Sequence, residues 1–182
     1  DGEPPALRPL LAYAGLNHSA TLLALAGPSL LPAALLITLG GPAGAGAAAT
    51  FYIAFQVASL LFTVPVALAL VQFAEGARPG SDWRANERRA LCLGVLVVVP
   101  GALVVAALAP FILAFFGTSY AADGTALLRV LALASVAAVP ATVLASRFRL
   151  AGKLRPPVLA AALSSAAALS GAVVTVPSLG LV

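Results

Sequence analysis

The chain has 182 residues, 62% of them apolar and 9% charged, against roughly 45–50% and about 25% in soluble domains. So few polar groups cannot clothe a soluble protein of this size, and the composition points to lipid as the solvent. The net charge of +4 would suggest nucleic acid in a soluble protein. Here the basic residues sit in short turns between apolar runs, which is a signal of membrane topology, and no nucleic-acid partner is expected.

Inside lipid the backbone must satisfy its own hydrogen bonds, so only helices or closed barrels can span. The apolar runs lack the alternation of barrel strands, which leaves helices. Cys92 is the only cysteine, so no internal disulfide can form. The chain opens Asp1-Gly2-Glu3-Pro4-Pro5, contains no methionine and shows no signal-peptide pattern. It stops at Val182, just after an apolar run, and reads as a piece of a longer protein.

Five apolar runs cover residues 10–39, 47–74, 90–116, 125–146 and 158–176. Each approaches or exceeds the ~20 residues needed to cross ~30 Å of hydrocarbon as a helix. The first is longer than one upright span requires. Its Gly27, Pro28 and Pro32 predict a kink or break there, or a start along the interface. Pro65, Pro100, Pro110 and Pro140 interrupt the next three runs. The expected architecture is an all-α, polytopic transmembrane bundle of five spans.

The connections alternate in charge. Residues 40–46 and 117–124 carry no Lys or Arg, whereas 75–89 carry Arg78, Arg84, Arg88 and Arg89, and 147–157 carry Arg147, Arg149, Lys153 and Arg155. With Arg8 ahead of the first run, nine of the ten basic residues fall on one side of a five-span path. The positive-inside rule puts that side in the cytoplasm, with the start of the chain inside and its end outside. Ser81 or Asp82 is placed to cap the third helix. Arg84 and Arg88, one turn apart, are placed to meet anionic headgroups, although a solvated loop is the plainer reading.

Polar side chains inside the runs are the best functional clue, because they are costly in hydrocarbon. Tyr13, Asn17 and Thr21 share one face of the first helix, and Tyr52, Gln56, Ser59 and Thr63 share one face of the second. These stripes either line a wet cavity or glue helices together. The third run, without strong hydrogen-bonding side chains from Leu93 to Phe116, is expected to face lipid. His18 is a candidate for proton coupling or sugar contact, against the plainer alternative of a histidine satisfied by a neighbouring helix. Arg129, the only basic residue away from the charged turns, either snorkels to water, pairs with a carboxylate such as Asp123, or holds a phosphate. Glu75, at the inner end of the second run, is expected to pair with Arg78, with gating of the inner side as the alternative. Ala160, Ser164, Ala168 and Ala172 form a small-residue seam that another helix can approach.

No catalytic set is visible. One His and one Cys cannot build a three- or four-ligand metal site, and no acid lies near His18 for a triad. Neither enzymatic activity, a metal nor a cofactor is expected.

Phe51-Tyr52-Ile53-Ala54-Phe55, then Val57-Ala58-Ser59-Leu60-Leu61 and Phe73-Ala74-Glu75-Gly76, resemble the eighth helix of bacterial polysaccharide flippases. Arg88-Arg89-Ala90-Leu91 resembles the entry to the next span, and Phe116-Gly117-Thr118-Ser119-Tyr120-Ala121 with Gly124 and the stretch from Leu127 to Leu133 resembles the family's loop between its ninth and tenth helices. These flippases belong to the multidrug/oligosaccharidyl-lipid/polysaccharide exporters, a MATE-like superfamily. The resemblance covers most of the chain on loose motifs. It implies a two-lobe transporter in the bacterial inner membrane, with this chain supplying helices seven to eleven and the N-terminal lobe absent from it. It further implies a polyprenyl-pyrophosphate-linked oligosaccharide as substrate, moved by alternating access, with membrane lipids and the other lobe as partners. The substrate contacts would be Asn17, His18, Thr21, Tyr52, Gln56, Ser59 and Arg129. The alternatives are a cation-coupled drug antiporter of the same superfamily, or a membrane-embedded enzyme or scaffold of glycan assembly.

Overall fold

The computed structural model describes residues 7–178. The first six and last four residues, and with them both ends of the chain, lie outside the described residues. Five helices follow in order: α1 Leu7–Leu39, α2 Gly41–Gly76, α3 Trp83–Ala114, α4 Thr118–Leu150 and α5 Arg155–Ser178. Among the described residues there is no strand. The all-α bundle expected from the sequence is the fold found.

Helices α1 to α4 are long and apolar enough to cross a membrane. The fifth apolar run falls on α5, whose 24 residues extend about 36 Å; the side chains from position 171 onward lie outside the described set. Only 11% to 28% of each spanning window is buried inside the bundle. The remaining apolar surface, including Phe115 at 89% exposed, matches a lipid solvent rather than water.

The helices are longer than the apolar runs. The stretch 40–46, expected as a turn, is mostly the first two turns of α2, and the whole link between α1 and α2 is Gly40. Gly40 and Gly41 take φ of 65° and 49°, left-handed conformations open to glycine at little cost. They reverse the chain so tightly that a Cβ on Gly44 would meet the Leu36 carbonyl at 3.0 Å. At the start of α3 the cap is Asp82, which accepts from the backbone N–H groups of Arg84 and Ala85 at 3.1 and 3.2 Å. Ser81 instead donates to the Gly76 carbonyl at 3.0 Å.

Helix α1 runs unbroken through Pro28 and Pro32, contrary to a break there. Helix α5 covers this stretch: the Ser165 hydroxyl donates to the Leu23 carbonyl, and a Cβ on Gly27 would lie 3.2 Å from the Ser165 Cα. Backbone weakened by proline is tolerated where a neighbouring helix covers it. Helices α2, α3 and α4 also continue through their internal prolines.

Helices α2, α3 and α4 enclose a core of Ala54, Ala58, Ala109, Leu113 and Leu128. Along α4 the buried positions are Gly124, Leu128, Ala132, Ser135, Val139, Val143 and Ser146, spaced 4-4-3-4-4-3, close to the ~3.6-residue turn of a straight helix, so they form one continuous face. Small residues set the separation, as expected where lipid supplies no hydrophobic drive between helices. A Cβ on Gly94 would meet Val139 Cγ1 at 2.5 Å. Helix α3 therefore turns one face to α4 and only its other face, with Leu96, Leu103 and Phe111, outward. Helix α1 packs on α5 and α2, while α5 barely touches α4. The α5 residue central to this packing is Ser165, whereas Ala160, Ser164 and Ala168 of the expected seam are exposed; the Ala172 side chain lies outside the described set.

The antiparallel order gathers the charged turns at one end. Tyr13 of α1 donates to the Arg149 carbonyl of α4 at 3.5 Å. Gly76 of α2 abuts Leu150 of α4, and Arg147 reaches Glu87 of α3 at 4.0 Å. At the other end Gly124 of α4 lies against Thr50 of α2.

Candidate functional site

The α2 stripe sits on an open face of the bundle. Tyr52 is 57% exposed and Gln56 and Thr63 are exposed. Gln56 Nε2 donates to the Tyr52 hydroxyl at 3.4 Å. Ser59 and Thr63 return their hydroxyls to their own helix, donating to the carbonyls of Gln56 at 2.7 Å and Ser59 at 3.0 Å. Such backbone-directed bonds let hydroxyls sit in a helix without a partner. The Gln56 amide has no such outlet, and its sole partner among the described residues is Tyr52. Gln56 and Ser59 lie near the middle of α2, where hydrocarbon is deepest.

The α1 set is divided. Thr21 is exposed and donates to the Asn17 carbonyl at 3.2 Å. Asn17 is half-buried, with its Oδ1 buried and lacking a hydrogen-bond partner. His18 is exposed rather than packed into a neighbouring helix. Among the described residues no hydrogen bond links the α1 set to the α2 stripe.

Arg129 lies apart from both. Its Nε donates to the Ala106 carbonyl of α3 at 3.1 Å. Four residues beyond Ala106 is Pro110, which has no N–H to give that carbonyl. Arg129 thus supplies the donor that the proline removed. Among the described residues no ion pair joins Arg129 to Asp123 or Glu75 to Arg78, and the one ion pair is Arg147 with Glu87. The sequence held the signal for the Arg129 contact in Pro110, but only the register of α3 against α4 reveals it.

A group not anticipated from the sequence lies at the charged end. Gln72, Ser81, Trp83, Arg147 and Leu150 are among the residues lining a cavity of about 430 Å³. The Arg147 guanidinium lies 4.6 Å above the Trp83 ring centroid, and that of Arg84 lies 5.6 Å from it. Gln72 is only 4% exposed, and its Oε1 has no hydrogen-bond partner. The available signal was angular: sixteen residues beyond Gln56, Gln72 points about 160° away from the stripe. Beside it the buried Ser146 hydroxyl bridges α4 to α2, donating to the Ala69 carbonyl at 3.0 Å. The cavity contains none of the seven residues predicted as substrate contacts.

Compared with protein-family models, with curated proteins and with solved structures, the chain matches none.

Proposed function

We propose that this membrane-embedded bundle is one lobe of a transporter that moves a lipid-linked oligosaccharide across the bilayer. The observation that carries the reading is the open polar stripe on α2. Tyr52, Gln56, Ser59 and Thr63 occupy one outward face near the middle of a 36-residue apolar helix. A primary amide facing hydrocarbon without a full set of partners is costly. This face therefore needs water or another polar surface, which a cavity between two lobes supplies. In that cavity hydroxyls and amides meet sugar hydroxyls, while the acyl tail of the substrate stays in the bilayer. Exchange of access by rocking of the lobes would carry the headgroup across.

Arg129 takes a different place in this reading. With its Nε engaged on Ala106, only its terminal nitrogens remain to meet a phosphate.

The test is flipping of a fluorescent polyprenyl-diphosphate oligosaccharide in liposomes by the two-lobe transporter that contains this chain. Gln56→Leu and Tyr52→Leu are expected to lower the initial rate about tenfold, while Leu103→Ala on the lipid face leaves it unchanged. Wild-type rates in both stripe variants would remove the stripe from transport.

A further inference from the structure

We propose that the cavity at the charged end binds the headgroup of an anionic phospholipid that carries free hydroxyls, as a resident lipid rather than as cargo. It depends on the membrane setting of the bundle and not on the transport reading.

Three features converge on this chemistry. The first is a cation held in place. The Arg147 guanidinium is stacked on Trp83 and stands 4.0 Å from the Glu87 carboxylate. At that separation the carboxylate leaves the guanidinium edge open to a second anion. Guanidinium matches phosphate oxygens in a bidentate fork, and the Arg84 guanidinium beside the same ring adds positive potential.

The second feature is a buried acceptor without a donor. Gln72 lines the cavity, is nearly fully buried and has an unpartnered Oε1. Leaving a buried acceptor unsatisfied costs stability, and a turn of the Gln72 amide toward the cavity that this residue lines would let a ligand's donor satisfy it. Inorganic phosphate can donate only through a P–OH of the same group that Arg147 would hold, whereas a glycerol hydroxyl donates at a distance from the phosphate.

The third feature is location. The cavity sits where α2 ends, α3 begins and α4 ends, beside turns carrying the basic residues, with Trp83 and Leu150 in its wall. Indole rings and basic residues mark the headgroup level of a membrane. Leu150, half-buried at the end of α4, gives the cavity an apolar flank that suits the start of an acyl chain. The volume of about 430 Å³ falls in the range of small-ligand sites. A phosphate ester for Arg147, a hydroxyl for Gln72 and chains for the apolar flank together describe a phosphatidylglycerol-like lipid.

The experiment measures lipid retention by the full chain in mild detergent, by native mass spectrometry, with phosphatidylglycerol, phosphatidic acid and phosphatidylcholine offered in turn. Phosphatidylglycerol is expected to bind on the order of tenfold more tightly than phosphatidylcholine, and measurably more tightly than phosphatidic acid, which lacks the headgroup hydroxyls. Arg147→Gln should bring both anionic lipids down to the phosphatidylcholine level. Gln72→Leu should erase only the preference for phosphatidylglycerol over phosphatidic acid. It removes an unpartnered acceptor, so it should melt no lower than wild type, and circular dichroism checks that each variant is folded. Gln72→Glu, which sets a carboxylate against the phosphate, should weaken both anionic lipids. Equal retention of all three lipids by the wild type would overturn the proposal, as would an unchanged phosphatidylglycerol preference in folded Gln72→Leu. Soluble glycerol phosphate displacing phosphatidylglycerol at equal concentration would also overturn it, by making the ligand a free phosphate ester.

Discussion

Arg129 and Gln72 show how much a single side chain means only in its neighbourhood. In sequence Arg129 is an isolated charge within an apolar run, open to three readings. In the fold its Nε faces the carbonyl of Ala106, which Pro110 deprives of a helical donor. Arg129→Leu is therefore expected to destabilise the bundle by about 1–3 kcal/mol, the range for losing a charged donor to a backbone acceptor. The effect should nearly vanish in a Pro110→Ala background, where the restored backbone N–H can satisfy the Ala106 carbonyl. Thermal unfolding in detergent for the four proteins of this cycle measures the coupling; an equal penalty in both backgrounds would show that Arg129 acts elsewhere. Neither the Arg129 contact nor the Gln72 cavity was legible in the sequence, because both depend on which faces of separate helices meet. The polar stripe of α2 was legible, since a helix repeats its faces every ~3.6 residues whatever surrounds it.

Between helices, small residues fix how closely the elements approach. Gly94 leaves room for Val139, whose Cγ1 would lie 2.5 Å from a Cβ at that position. Gly94→Ala is expected to cost about 1–3 kcal/mol by overpacking, and Val139→Ala in the same chain should recover part of it. A melting temperature in Gly94→Ala equal to wild type would mean that α3 and α4 cross elsewhere. At the other pair, Gly27 meets Ser165 at backbone distance, so Gly27→Leu should loosen α5 from α1 and raise proteolysis of the turn at Gly152 and Lys153. The existence of each helix followed from the apolar runs, but their ends did not. Residues 41–46 combine glycines with Pro42, a poor helical composition, and fold as helix because Gly44 docks on α1 and Pro42 suits a first turn. Within the bundle α5 meets α1 through Ser165 and leaves Ser164 exposed, a choice invisible in the sequence because both neighbours are small and only the partner helix distinguishes them.

At the scale of the whole molecule, the alternation of charged and uncharged turns became an antiparallel bundle with its basic residues at one end. That feature was readable because bilayer thickness sets span length and charge sets orientation, and neither requires knowing how helices pack. The seven candidate contact residues do not gather into one site. The α2 stripe faces outward, so what it meets is set by surface beyond these five helices and not by their own packing. Everything proposed depends on the path of the chain through the membrane. It is tested most directly with single cysteines at Pro79, Ser119 and Ala151, all exposed at helix ends or turns, in a chain whose exposed Cys92 is replaced by alanine. A membrane-impermeant maleimide applied to intact cells should label Ser119→Cys and spare Pro79→Cys and Ala151→Cys until the cells are opened. Labelling of Pro79→Cys and Ser119→Cys from the same side would contradict the account.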